Sequence, residues 1–239
     1  MPSRRAVPAD ALVSVIVPTL DEAAGVEGAL RSVQRQPGPV ELIVVDGGST
    51  DGTPDRVAEI APEAVVVASA RGRARQLNAG AARASGAALL FLHADTKLPD
   101  GALDAVRHAL DAGAAAGCFE TRFDDARGWM RLWQARLWMR WHRFAFGDRA
   151  LFARRDAFHA TGGFPEQPIF EDLDFVRAVR RIGPFAFLDA AVVTSARRFR
   201  RHGALRQQLR NVGLWMGWAA GVSPARLKRF YSDAPGDRG

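Results

Sequence analysis

An α/β fold, with a mostly parallel central sheet flanked by helices in a single domain, follows from three features of the sequence. Short apolar runs alternate with amphipathic stretches through the first half of the chain, the pattern of strand–helix–strand crossovers. The runs are nearly continuous in apolar residues rather than alternating, as strands buried on both faces are. Each run also stops at acidic, polar or Gly-rich residues, which puts the chemistry at the carboxyl edge of the sheet. A length of 239 residues suits one domain with an ample core.

Residues 1–11 read as a flexible leader. Leu12 to Pro18 is the first strand, and Val26 to Gln36 a helix carrying Leu30 and Val33, broken by Gln36-Pro37-Gly38-Pro39. Val40 to Val45 is the second strand, running into the turn Asp46-Gly47-Gly48-Ser49-Thr50-Asp51-Gly52-Thr53, after which Pro54 is placed to open a helix. Ala64 to Val67 is a third strand, Arg71 to Arg83 a helix with a Gly- and Arg-bearing start, and Ala87 to Leu92 a fourth strand ending in His93 and Asp95. Leu103 to Ala112 is helical and Ala114 to Phe123 extended.

The composition then changes. Asp125 to Arg143 sets Trp129, Trp133, Trp138 and Trp141 among arginines. At about 100° per residue, Met130, Trp133, Leu137, Trp138 and Trp141 share one broad arc and Arg136, Arg140 and Arg143 another. Asp148 to Ala153 is a candidate strand, and Asp156 to Ala160 a short helix closed by Gly162-Gly163. Glu171 to Arg181 is a helix opening on acids, as the macrodipole favours. Phe185 to Val193 is a strand, Ala204 to Ala219 a helix with a Leu205, Leu209, Val212, Met216 stripe, and 232–239 a flexible tail.

Hydrophobic and charged contents of 48% and 25% are those of a soluble globular protein. The net charge is +7, and Lys97 and Lys228 are the only lysines, so the excess is almost wholly guanidinium. Arginine forks grip phosphate and carboxylate, which admits an anionic substrate or a membrane face. No nucleic-acid module accompanies the charge, which sets nucleic acid aside. Cys118 is the single cysteine, so neither an internal disulfide nor a CxxC site can form. No run reaches the roughly 18 apolar residues of a membrane span. A cytoplasmic location is expected; the tryptophans of 125–143 would pack the acceptor half of the core or a dimer contact, or else make peripheral contact at the inner face of the cell membrane.

Four segments carry candidate chemistry. Pro18-Thr19-Leu20-Asp21-Glu22, Asp46-Gly47-Gly48-Ser49, Arg71-Gly72-Arg73 and His93-Ala94-Asp95 would meet on one sheet edge, suggesting a nucleotide pocket. His93 and Asp95 could hold a divalent ion whose other ligands are phosphates and water, although a strand-end Asp is as readily a turn residue and a lone His a wall residue. Glu171-Asp172-Leu173-Asp174 exceeds what a helix cap needs and could supply a general base. Arg197-Arg198-Phe199-Arg200-Arg201-His202 could neutralise a diphosphate leaving group, or be a solvated charge run.

Together these motifs resemble family 2 glycosyltransferases. The ordered set is Ser14 to Glu22, Val45 to Thr53, Leu77-Asn78-Ala79-Gly80, Leu92-His93-Ala94-Asp95-Thr96, Gly162-Gly163-Phe164 and Glu171-Asp172-Leu173-Asp174. The chain is similar to the bacterial branch labelled radical-SAM/selenodomain-associated glycosyltransferases, through its His-Ala-Asp-Thr strand end and the late segment Thr194-Ser195-Ala196-Arg197-Arg198. The resemblance implies a GT-A fold over 12–231, with a nucleotide-binding half at 12–112 and an acceptor half at 113–231. It implies inverting transfer of a sugar from a nucleotide-diphosphate sugar to an acceptor hydroxyl, which could be lipid-linked. Pro18, Thr19, Glu22, Asp46, Arg73, Asn78, Arg197 and Arg198 would contact the donor. Asp95 would bind a divalent metal (Mn²⁺ or Mg²⁺), with His93 either a second ligand or a contact to the donor sugar or ribose, and Asp172 would be the catalytic base. Two positions depart from the family pattern: Gly47 stands where many relatives have a second Asp, and His93 replaces the first acid of Asp-x-Asp.

Two other classes stay in play. A nucleotidyltransferase shares the Rossmann-like half, but usually has a Gly-rich basic loop after its first strand, where this chain has Thr19-Leu20-Asp21-Glu22. A non-catalytic nucleotide- or lipid-binding protein of the same fold is the second.

Overall fold

Val13, Val15 and Val17 turn to one face of the first strand and Ile16 to the other, and this alternation divides the molecule into two cores. The computed structural model describes residues 7–124, 149–195 and 204–232. The first half holds β1 (Val13–Thr19), α1 (Val26–Gln34), β2 (Val40–Asp46), α2 (Thr53–Ile60), β3 (Val65–Ala68), α3 (Arg73–Arg83) and β4 (Ala88–Phe91). After it come β5 (Thr96–Lys97), α4 (Ala102–Asp111) and β6 (Ala116–Phe123). The second half holds β7 (Phe152–Arg154), α5 (Arg155–Ala160), α6 (Glu171–Val179), β8 (Phe185–Thr194), α7 (Ala204–Ala219) and α8 (Pro224–Ser232).

These strands form one sheet in the order β3-β2-β1-β4-β7-β6-β8-β5. β1 runs parallel to β2 and β4, β2 to β3, and β6 to β8. β7 lies antiparallel between β4 and β6, and β5 antiparallel against β8. Apolar composition marks a strand without marking its direction, so the reversal at β7 had no signature in the sequence. β5 is too short to show a hydrophobic run. α8 was not expected either, although Ser223-Pro224 is a helix-opening pair.

One core joins Val13, Val15, Val17, Leu90 and Leu92 to the inward faces of α1, α2 and α4. The other joins Ile16, Ile43, Val45, Leu89 and Phe91 to α3, α5 and α6. Helices on both faces are what a sheet of this kind requires. α3 lies so close that a Cβ at Gly80 would run into Ile16 and Val45. The second core contains an aromatic knot in which Phe164 sits 4.8 Å from both Phe91 and Phe175 and 5.5 Å from Phe158. A third cluster packs Leu173 of α6 against Leu214, Trp218 and Leu227 of α7 and α8, with the Arg177 guanidinium 4.7 Å from the Trp218 ring. The expected flexible leader is packed from residue 7 onward. Val7 is buried, and buried Arg107 donates to the Ala11 carbonyl at 2.9 Å. No described helix is long and apolar enough to cross a membrane.

Candidate active site

The strand register brings the expected segments together. Thr19 pairs with Asp46, Asp46 with Ala68, and Ile16 with Phe91, so β1, β2, β3 and β4 end on one edge. The turns after β1 and β2 are then bonded to each other. Ser49 Oγ accepts from the Asp21 amide at 2.9 Å, Asp21 Oδ1 accepts from the Thr50 amide at 2.8 Å, and Thr53 Oγ1 accepts from the Glu22 amide at 2.9 Å. Asp51 Oδ2 accepts from the Ala23 amide at 2.9 Å. Asp21 adopts φ 52°, a left-handed conformation that Asp tolerates better than most residues. The acidic loop after β1 is therefore half of a rigid double turn, with Pro18 and Glu22 half-buried beside it.

Asp46 closes this floor. Its Oδ2 accepts from the Gly48 and Ser49 amides at 3.0 and 2.9 Å, and its Oδ1 from Ser49 Oγ and from Thr19 Oγ1. Burial alone would raise its pKa, but the Ser49, Gly48 and Thr19 bonds outweigh that and hold the carboxyl below its ordinary value. The space left at Gly47 is taken by Gln76. A Cβ at 47 would lie 2.9 Å from Gln76 Nε2, and that nitrogen donates to the Thr19 and Val45 carbonyls at 2.7 and 3.0 Å. Gln76 is buried and was not singled out from the sequence.

Arg73 is the first residue of α3 and joins this floor to the second half of the chain. Its Nη2 lies 2.7 Å from His93 Nε2, and its Nη1 lies 3.1 Å from Glu171 Oε1 and 3.7 Å from Asp172 Oδ2. Both acids are buried in the first turn of α6. They do not act as an N-cap: that position is Phe170, at φ 65°, with no side-chain cap bond. Asp172 Oδ1 accepts from the Leu173 amide at 2.8 Å. Burial pushes the Glu171 carboxyl up. Arg73 opposes that rise, neighbouring Asp172 adds to it, and the more distant charge of Lys228 opposes it.

Asp95 follows β4 at the place where β5 meets β8. Its carbonyl accepts from the Ser195 amide at 3.2 Å, and Thr96 pairs with Thr194. The pairing ends at Thr194. Arg197, Arg198 and the Trp-rich 125–143 stretch lie outside the described residues. Asn78, expected at the donor, is engaged elsewhere. Its Nδ2 donates to the Phe164 carbonyl at 2.8 Å, and its Oδ1 accepts from the Phe164 amide at 2.9 Å. No described group of three or more His, Cys, Asp or Glu side chains could hold a metal.

The curated relatives include the PGL/p-HBAD biosynthesis glycosyltransferases of Mycobacterium bovis and Mycobacterium tuberculosis, 41% identical over 93 residues. That match covers 36% of this chain and 36% of each relative, so the chain spans about a third of their length. Among solved structures, the 1–349 portion of S. aureus TarS aligns with a TM-score of 0.65 at 20% identity, over 77% of this chain and 60% of that one. The mannosyltransferase PcManGT from Pyrobaculum calidifontis, in complex with GDP-Man and Mn²⁺, aligns with a TM-score of 0.62 at 27% identity, over 77% of this chain and 56% of its own. These likenesses support the GT-A architecture. The family model described as Glycosyl transferase family 2 matches residues 14–165, well over half of the chain, and the chain belongs to that family.

Proposed function

We propose that the chain is an inverting glycosyltransferase that moves a sugar from a nucleotide-diphosphate donor to an acceptor hydroxyl. The observation that carries this is the Arg73 guanidinium, which has the strand end of His93 on one side and the buried pair Glu171 and Asp172 on the other. One side chain thus links the end of β4 to the first turn of α6. The GDP-Man and Mn²⁺ of the Pyrobaculum mannosyltransferase support a nucleotide sugar and a divalent ion as the matching ligands.

In this reading Pro18, Thr19, Glu22 and Asp46 hold the nucleoside on the double turn, and Arg197 and Arg198, which lie outside the described residues, would offset the charge of the diphosphate. Asp95 would hold Mn²⁺ or Mg²⁺ together with donor phosphate oxygens; when bound, the ion offsets charge on the departing diphosphate. Asp172 accepts the proton of the acceptor hydroxyl. The oxygen forms its bond to the anomeric carbon as the bond to the diphosphate oxygen breaks, and one displacement inverts that carbon. The nucleoside diphosphate leaves with the electron pair.

Incubation with a panel of nucleotide sugars and Mn²⁺, followed by Asp172→Asn on whichever donor turns over, tests the assignment. Loss of a general base lowers rate by about 10²–10⁴-fold. Near-normal turnover by Asp172→Asn would remove Asp172 from the role. Transfer of a nucleotidyl group would favour the nucleotidyltransferase alternative, and donor binding without turnover the non-catalytic one.

A further inference from the structure

We propose that Arg73 is a positioning residue for the acidic pair, and that His93 holds Arg73 in place instead of ligating metal through Nε2. This rests on Asp172 being the base. A guanidinium carries only donors, so at 2.7 Å from Arg73 Nη2 the His93 Nε2 must be the acceptor, and its ring proton sits on Nδ1. A nitrogen whose lone pair receives that bond has none for a metal ion.

The other side of Arg73 is fixed as well. Nη1 reaches Glu171 Oε1 at 3.1 Å and Asp172 Oδ2 at 3.7 Å, so the planar fork is held at both terminal nitrogens by two elements from opposite halves of the chain. The neutral acceptor at 93 has a definite use. An acid there would bind Arg73 more strongly, and would add a third negative charge facing Glu171 and Asp172. Imidazole fixes the same fork and leaves its charge to the two acids. His93 in place of the family's first acid thus becomes part of how the base is oriented.

The test uses the full chain. Nitrogen-15 NMR of the histidine rings is expected to show His93 as the Nδ1–H tautomer, and Arg73→Gln is expected to abolish that state. With the donor found by the panel, Arg73→Gln should lower kcat about 10²-fold, the usual effect of a misplaced catalytic group. UDP and GDP binding by calorimetry should be unchanged. His93→Ala should reproduce the loss, and the double variant should be no worse than either single one. His93→Gln, whose amide oxygen can still accept from Arg73, should recover most of the rate, which separates positioning from misfolding. Weakened UDP or GDP binding with kcat intact in Arg73→Gln would overturn the proposal in favour of a phosphate contact. A higher Mn²⁺ requirement in His93→Ala, absent in Arg73→Gln, would overturn it in favour of a metal ligand. Turnover by Asp172→Asn would sink the base assignment alone, and the His93 ring signal would still decide the Arg73 bond.

Discussion

Replacing Asn78 with Ala should destabilise the protein and leave nucleotide binding intact. The family pattern places Asn78 among donor contacts, whereas its amide here makes two bonds to the Phe164 backbone, at 2.8 and 2.9 Å. Those bonds hold the chain where Phe164 enters the aromatic knot with Phe91, Phe158 and Phe175. A net hydrogen bond contributes about 1 kcal/mol, and a partner left unsatisfied costs about 1–3 kcal/mol. With Phe164 buried, a loss of about 2–3 kcal/mol is expected. At this chain length that corresponds to a fall in Tm of roughly 4–12 °C. Asn78→Asp should be at least as harmful, because it keeps the acceptor for the Phe164 amide but turns a carboxylate oxygen toward the Phe164 carbonyl. Urea unfolding followed by tryptophan fluorescence measures the loss, and calorimetry with UDP and GDP measures binding. An Asn78→Ala protein with unchanged unfolding and weakened UDP or GDP affinity would refute the structural role and return Asn78 to the donor site.

Asp46→Asn should lower stability by about 1–3 kcal/mol at neutral pH, since an amide cannot accept from all the donors now facing Asp46. The folded carboxyl titrates below its unfolded value of 3.8, so its contribution is present above that pH and is lost as pH falls through the folded value. The variant should therefore show a shallower acid limb below pH 3.8, and an unchanged limb would contradict this. Gly47→Asp should cost about 1–3 kcal/mol by displacing Gln76 from the Thr19 and Val45 carbonyls. Adding Gln76→Ala should recover part of that cost in urea unfolding, and strictly additive losses would show that the two positions do not compete. If the Trp- and Arg-rich stretch 125–143 meets an anionic membrane, flotation with anionic vesicles at low salt should carry the protein upward, and failure to float would end that idea.

The strands were legible because burial on both faces writes itself as unbroken apolar runs, as in Leu42 to Val45 and Ala88 to Phe91. Their polar ends were legible for the same reason, since Asp46 and His93 interrupt those runs abruptly. Partnership was not legible. Nothing periodic connects Arg73 to Glu171, which are far apart in sequence and meet only because α3 and α6 cover the same face of the sheet. Gln76 looks like any polar residue of a helix until the absence of a side chain at Gly47 shows what its amide fills. Asn78 was found by its motif but not by its task, because the motif records the residue and not the Phe164 backbone it grips.

Thr194 has a consequence for how such a protein can diversify. Its carbonyl accepts from the Asp124 amide at 3.0 Å, its side chain from Thr96 Oγ1 at 3.0 Å, and the next residue bonds the Asp95 carbonyl. The stretches beginning at 125 and at 196 therefore both depart from one anchored corner beside Asp95. Insertions or exchanges in either stretch start from a fixed origin and leave β1, β2, β3 and β4 untouched. A lineage could rewrite those two stretches while inheriting the bonded turns after β1 and β2 unchanged.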